Sequence, residues 1–309
     1  YRDWYFIDGF PLKSEWGEIP NFKCFGYYGG MPKLNLKNPE VEKYITDVAC
    51  YWIKECDIDG WRLDVGDEIS HFFWKNFRKA VKAVKKDMLI IGEIWHYAGD
   101  FLEGDEWDTV MNYPFYLNLI DLLADEKITV SQFVQNLGYL KGRLHKNCYP
   151  LMWNLIDSHD TAIFLRLCND NKKKQHLAAA FQLLLPGMPM IYYGDEYAMP
   201  GANDPDWRRG MYWDEEYQDK EMYEWYKRLI QVRKSHACIV EGELAGSVTE
   251  DEEGTIVLIR KNGEETIAMI FNCSSSAKKF NEYTQKYNLL TENTFDGNVE
   301  GVDAAVIVL

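Results

Sequence analysis

A chain of 309 residues that is 47% apolar and 15% aromatic is long enough to bury a large core and to hold more than one domain, and this composition excludes a disordered protein. A formal net charge of -15 sets it against nucleic acids and anionic membranes, both polyanions, and leaves a neutral substrate as the better fit. Seven cysteines with no close CxxC pair argue against a disulfide framework and a zinc site, and read as buried free thiols of a reducing, cytoplasmic compartment.

The opening Tyr1-Arg2-Asp3-Trp4 carries neither an initiator Met nor the basic and apolar regions of a leader, so the chain is expected to be the back portion of a longer protein. No apolar run is long enough to span a bilayer. Residues 1–36 are rich in aromatics, Gly and Pro and read as irregular. Asn38-Pro39-Glu40 is a helix start, and Val41, Tyr44, Ile45, Val48 and Trp52 follow it as an apolar face. Ile58 to Val65 is a strand on which Arg62 and Asp64 share one face and Trp61, Leu63 and Val65 the other. Ser70 caps a second helix with a stripe of Phe73, Trp74, Phe77, Val81 and Val84, and Met88 to Glu93 is an almost wholly apolar strand.

Apolar strands separated by amphipathic helices belong to parallel sheets covered on both faces. Asp64 and Glu93 lie 29 residues apart, about one strand-helix unit; Glu93 and Asp160 lie 67 apart, about two, with a strand near residues 107–111 between them. Asp160 and Tyr192 are 32 apart, and Met188 to Tyr193 is a fifth strand. A helix near 219–234, bearing Met222, Trp225, Leu229 and Val232, closes this layer. The pattern then changes: two β-rich runs flank the hairpin signal Asn262-Gly263, and residues 237–309 read as a small antiparallel β domain.

Asp64, Glu93 and Asp160 are expected in register at the C-terminal ends of three strands, the active face of a strand-helix barrel. Arg62 beside Asp64 would hold that carboxylate ionised, which suits a nucleophile. Glu93, among Ile90, Ile91 and Ile94, would keep its proton, which suits a general acid. One such carboxylate is often a helix cap or part of a surface ion pair, and a lone His159 is more often structural than catalytic. Three together indicate a hydrolase or transferase with paired carboxylates.

Gly60-Trp61-Arg62-Leu63-Asp64-Val65, Gly92-Glu93-Ile94-Trp95-His96 and Asp157-Ser158-His159-Asp160 resemble three ordered sequence blocks of the alpha-amylase family of glycoside hydrolases. Met31-Pro32-Lys33-Leu34-Asn35 is similar to the version in its neopullulanase, cyclomaltodextrinase and maltogenic amylase branch. The resemblance implies an α/β fold: part of a (β/α)8 TIM barrel, about strands four to eight, over residues 1–236, followed by a small antiparallel all-β domain, a β-sandwich, over 237–309.

It also implies a retaining hydrolase of α-1,4-linked glucans such as maltooligosaccharides, cyclodextrins, pullulan or starch. Asp64 would be nucleophile, Glu93 acid/base and Asp160 transition-state stabiliser. Arg62 would support the nucleophile and His159 would bind the sugar being cleaved. Asp204 and Arg208, in Asn203-Asp204-Pro205-Asp206-Trp207-Arg208, would hold the glycone end, and Glu68 and His96 would line the acceptor side. For Tyr192-Tyr193-Gly194-Asp195-Glu196 a structural role is preferred. The branch usually has Ala-Asn where this chain has Gly66-Asp67, which adds charge near the acceptor.

The family's first block and first barrel strands would precede Tyr1, so the segment alone is expected to be inactive and to associate with the missing N-terminal half or a second copy. No cofactor and no metal ligand is expected here; any calcium site would lie in the missing part. The rival readings are a non-catalytic carbohydrate-binding or scaffold relative, and a transglycosylase or α-glucosidase of the same family.

Overall fold

The first long helix starts where the chain sets a cap and a proline side by side. In the computed structural model, which describes residues 1–15 and 19–309, helix α1 spans Pro39–Cys56. The Asn38 side chain accepts the Glu40 amide at 2.9 Å, and Pro39 sits in the first turn, where its missing N–H has no partner to lose. Residues 16–18 of the expected irregular stretch lie outside the described residues. The rest of it forms short 3-10 turns at Arg2–Trp4 and Phe25–Tyr27 and isolated bridges pairing Tyr5 with Leu34, Ile7 with Phe22 and Cys24 with Pro32. Trp4 fastens it to α1: its indole donates to Glu40 at 3.2 Å and its ring meets that of Tyr44 at 5.4 Å.

The expected apolar face of α1 needs correction. Val41, Ala49 and Ile53 are the buried residues, whereas Tyr44, Val48 and Trp52 are exposed. Helical spacing allows two neighbouring stripes on this sequence, and the one that packs inward runs through the small Ala49, which carries little apolar signal.

The contacts divide the chain into two units, Tyr1–Met111 and Asn112–Leu309. In the first, β1 (Gly60–Leu63), α2 (His71–Val84), β2 (Leu89–Gly92) and β3 (Thr109–Val110) follow α1. The three strands form a parallel sheet in chain order, with Gly60 opposite Leu89 and Leu63 opposite Gly92. Ser70 caps α2 as expected, and Phe73, Trp74, Phe77 and Val81 are buried. Asp108 ties helix to sheet: it accepts the Ile90 amide at 2.9 Å, Arg78 at 2.7 Å and Lys82 at 2.9 Å.

The second unit opens with α3 (Tyr113–Leu119) and α4 (Val130–Arg143), followed by β4 (Trp153–Leu155), α5 (Phe164–Leu167), α6 (Lys172–Leu184), β5 (Met188–Met190) and α7 (Lys220–Ser235). Strands β4 and β5 pair in parallel, Trp153 opposite Met188. The five expected parallel strands are therefore present as a set of three and a set of two. Helix α6 is buried on nearly every side. Its buried Gln175 and Gln182 donate their side-chain N–H groups to backbone carbonyls, Gln175 to that of Asp195 at 3.1 Å and Gln182 to that of Met190 at 2.7 Å, while their side-chain oxygens have no partner among the described residues.

Beyond α7 the chain forms β6 (Glu243–Glu250), β7 (Thr255–Asn262), β8 (Glu265–Asn272), β9 (Lys278–Lys279), β10 (Tyr287–Asn288), β11 (Asn293–Thr294), β12 (Asn298–Val299) and β13 (Asp303–Val308). Six make one antiparallel sheet in the order β11-β10-β13-β8-β7-β6, and β9 pairs with β12. Asn262 pairs with Glu265, so the hairpin loop is Gly263-Glu264, with Gly263 in the left-handed region at φ 60°. Side chains alternate strictly. Ile256, Leu258, Ile267, Met269, Phe271, Ala304 and Val306 join the core of the helices, while Val257, Ala268, Ile270, Ala305 and Ile307 join Phe280, Phe295 and Val299 on the other face. The expected boundary near residue 237 thus falls inside the second unit, where Phe271 of β8 stacks on Phe181 of α6 at 4.2 Å and 11°.

All seven cysteines are free. The expectation that they are buried is corrected: only Cys168 and Cys238 are, and Cys56, the last residue of α1, is exposed. Among the described residues no helix is long and apolar enough to cross a membrane. Because Phe181 is wholly buried at the helix-sheet contact, Phe181→Ala should lower the unfolding free energy by about 3–5 kcal/mol, read from urea denaturation of the two proteins.

Candidate active site

Parallel pairing sets the geometry of the first unit's carboxylates. With Leu63 opposite Gly92, the next residues, Asp64 and Glu93, leave neighbouring strands side by side, and the Glu93 amide donates to the Leu63 carbonyl at 2.9 Å. Arg62, on the Asp64 face of β1, reaches both. Its Nη1 donates to Asp64 Oδ1 at 2.6 Å, and its Nη2 makes an ion pair with Glu93 Oε1, also at 2.6 Å. The Asp64 side chain is 74% exposed, whereas that of Glu93 is 4% exposed.

Glu93 is therefore buried as expected, but the apolar pocket anticipated around it is corrected. Its first oxygen is paired with a guanidinium, and the second, Oε2, accepts the Val65 amide at 3.0 Å. Val65 reaches that position with φ 45° and ψ 46°, left-handed values unusual for a β-branched residue. Strain of this kind costs about 1–3 kcal/mol and is held only where surrounding bonds enforce it. Here they are the amide donated to Glu93 Oε2 and the Gly66 amide donated to the Glu93 carbonyl at 3.1 Å.

The floor is aromatic. Trp107, 1% exposed, stacks on Phe101 at 4.1 Å and 6° and lies so close to Gly66 and Gly92 that a Cβ on either would enter its ring. The two glycines are needed for close approach, a role that spacing alone does not reveal.

The acceptor-side candidates have separate partners. Glu68 forms an ion pair with Lys33 and accepts the Gly26 amide at 3.1 Å, which binds it to the irregular N-terminal stretch. His96 faces Asp67, Nε2 to Oδ2 at 3.1 Å, so the charge that departs from the branch pattern is met by the histidine. Lys33, Val65, Asp67 and Trp107 were not foreseen as site residues. Lys33, Val65 and Asp67 carried a sequence signal through the motifs in which they lie, whereas Trp107 carried none.

In the second unit His159, Asp160, Asp204 and Arg208 come together. His159 Nε2 lies 3.0 Å from Asp160 Oδ2, Arg208 Nη2 donates to Asp160 Oδ1 at 2.6 Å, and Arg208 Nε is 3.7 Å from Asp204. Trp207 braces the loop by donating its indole to the His159 carbonyl at 2.8 Å, and Tyr192 donates its hydroxyl to the Trp207 carbonyl at 2.9 Å. One expectation is corrected: Asp160 is not at a strand end in register with Asp64 and Glu93. It lies five residues past Leu155, in the loop after β4, and the carboxylate nearest that strand end is Asp157. Among the described residues no group of three or more His, Cys, Asp or Glu could hold a metal ion.

Residues 13–218 match the catalytic domain of the alpha-amylase family. The chain belongs to that family of glycoside hydrolases, with its TIM-barrel-type fold and an antiparallel C-terminal sheet. It is 45% identical over 277 residues to a cyclomaltodextrinase of Geobacillus thermopakistaniensis (strain MAS1), covering 90% of this chain and 47% of that enzyme. An intracellular maltogenic amylase of Bacillus subtilis is 41% identical over 88% of this chain and 46% of its own length. The chain thus spans about half the length of the curated relatives it matches. Among solved structures, a cyclomaltodextrinase superposes with a TM-score of 0.92 at 34% identity, over 99% of this chain and 55% of the other. A cyclic alpha-maltosyl-(1-->6)-maltose hydrolase from Arthrobacter globiformis gives 0.87 at 30% identity, over 99% and 68%.

Removing the cation that faces buried Glu93 should be costly. Arg62→Met is expected to lower stability by about 3 kcal/mol, and the double variant Arg62→Met/Glu93→Gln should recover most of that loss in a urea-melt mutant cycle.

Proposed function

We propose that this chain carries the reacting carboxylates of an enzyme that hydrolyses α-1,4-linked glucans with retention, residues 1–236 forming its part of the catalytic barrel and 237–309 its β domain. The observation that carries the reading is the single guanidinium of Arg62 gripping Asp64 and Glu93 through two different nitrogens. Retention needs the two carboxyls close together, roughly 5–5.5 Å apart, and a guanidinium shared between them supports that closeness.

Asp64, open to solvent and oriented by Arg62, is the nucleophile; it attacks the anomeric carbon as Glu93 protonates the leaving oxygen. Water deprotonated by Glu93 then releases the glycosyl group from Asp64. Asp160, oriented by His159 and Arg208, is assigned to transition-state stabilisation, with His159 binding the cleaved sugar and Asp204 and Arg208 the glycone end. Glu68, braced by Lys33, and His96, braced by Asp67, are assigned to the acceptor side.

The relatives' names, cyclomaltodextrinase, maltogenic amylase and neopullulanase, support maltooligosaccharides, cyclodextrins, pullulan or starch as substrates. Two relatives named intracellular support a cytoplasmic location. Activity is assigned to a longer protein of the relatives' length, or to a complex of this chain with the remaining half or a second copy.

In a full-length protein containing this segment, Glu93→Gln should lower kcat on maltotriose by about 10²–10⁴-fold, and Asp64→Asn should abolish glucose and maltose release while the thermal unfolding midpoint stays put. An active Asp64→Asn enzyme would overturn the assignment. The purified 309-residue chain by itself should release no sugar from maltotriose, checked by chromatography of the products.

A further inference from the structure

Two carboxyl groups that the proposed reaction does not use lie under the loop bearing His159 and Asp160. Asp157, two residues past β4, and Asp195, five residues past β5, are both fully buried, at 0% and 1% exposure. Because β4 and β5 pair in parallel, their extensions leave the sheet side by side. Each carboxyl spends one oxygen on a backbone amide: Asp157 Oδ1 accepts from Phe164 at 2.6 Å, and Asp195 Oδ2 from Tyr192 at 3.2 Å. The other two oxygens, Asp157 Oδ2 and Asp195 Oδ1, are buried with no donor among the described residues, and the two side chains lie near enough for a hydrogen bond between them.

Ionised carboxylates only accept hydrogen bonds, so this contact exists only if one of the pair carries a proton. Among the described residues no cation offers an alternative. The titratable groups facing the pair are Glu196, Tyr192 after β5, Tyr226 of α7, Tyr116 of α3 and Cys168 after α5, all acidic or neutral, and Gln175 of α6 is already bonded to the Asp195 carbonyl.

We propose that Asp157 and Asp195 share one proton and that this bridged pair positions His159 and Asp160. The Asp157 bond to Phe164 closes residues 157–164 into a loop at both ends, and within it the Ser158 amide donates to Thr161 Oγ1 at 3.0 Å and the Asp160 amide to Ser158 Oγ at 3.2 Å. Losing the proton sets two like charges against each other in a dry site, and the loop must yield to separate them. The functional half of this inference rests on the role proposed for His159 and Asp160; the proton-sharing half does not.

Burial, reinforced by the Asp195 charge, pushes Asp157 well above the usual carboxylate range, and burial pushes Asp195 up to about 7. The folded chain therefore holds a proton that the unfolded chain releases near pH 4. The stability this proton contributes is fully present below that point and is lost as pH rises through about 7 and beyond.

The test uses the 309-residue chain and needs no turnover, so a failure of the glycosidase reading leaves it intact. The wild type should show a protonated-carboxyl infrared band at neutral pH and a melting midpoint that falls from mildly acid to mildly alkaline pH. Asp157→Asn keeps an oxygen for Phe164 and offers Asp195 an N–H in place of the proton; it should lose the band and flatten that fall, while Asp157→Ala should melt lower at every pH. With histidines labelled by nitrogen-15, the His159 ring signals should show an inflection in step with the loss of the wild-type band that is missing from Asp157→Asn. Absence of the band, or an Asp157→Asn slope equal to that of wild type, overturns proton sharing; His159 signals indifferent to the pair's titration overturn the positioning role.

Discussion

The Arg62 guanidinium is the contact on which the first unit's site depends. A carboxylate as buried as Glu93 is tolerated only with a cation and further donors to satisfy it, and Arg62 and the Val65 amide supply these from the end of the neighbouring strand. The same arginine binds Asp64, so one side chain sets the relative placement of two carboxyls that differ sharply in exposure. The left-handed Val65 belongs to the same arrangement: it turns the chain so that the Val65 and Gly66 amides both bond to Glu93. Trp107 completes it from below, filling the space that Gly66 and Gly92 leave free.

The second unit meets the burial of polar groups in another way. Among the described residues no cation faces Asp157 and Asp195, and backbone amides, with the proton we propose they share, take its place. At its surface, Asp160 is held by His159 and Arg208, where solvent offsets any imbalance of charge. Rigidity underneath and open ion pairs above suit a loop proposed to present polar groups to a sugar. Helix α6, with its alanines and its two glutamines donating to backbone carbonyls, provides the packed base against which both the loop and the C-terminal sheet rest.

Much of this was legible along the chain, because its signals are local. The Asn38-Pro39 start of α1, the Ser70 cap of α2, the parallel strands and the alternation of β7, β8 and β13 depend on neighbours one to four residues away. What was misread involved choices that local pattern leaves open. The buried stripe of α1 passes through Ala49 and not Trp52, a matter of which of two apolar faces finds a partner. Asp160 was taken for a strand-end carboxylate because strand length cannot be read from spacing; β4 stops at Leu155 and a loop carries Asp160 beyond it.

The sequence by itself determined the family and the order of strands and helices, since motifs and periodicity are properties of adjacent residues. Only the tertiary structure decided that Arg62 grips two carboxyls, that Lys33 and Asp67 face Glu68 and His96, and that Asp157 meets Asp195. The Arg62–Glu93, Lys33–Glu68, Asp67–His96 and Asp157–Asp195 partners stand about 30 residues or more apart in sequence. Such pairings arise when two strand ends or a loop and a turn are brought side by side, and the charge and burial that define each group's chemistry exist only once they are.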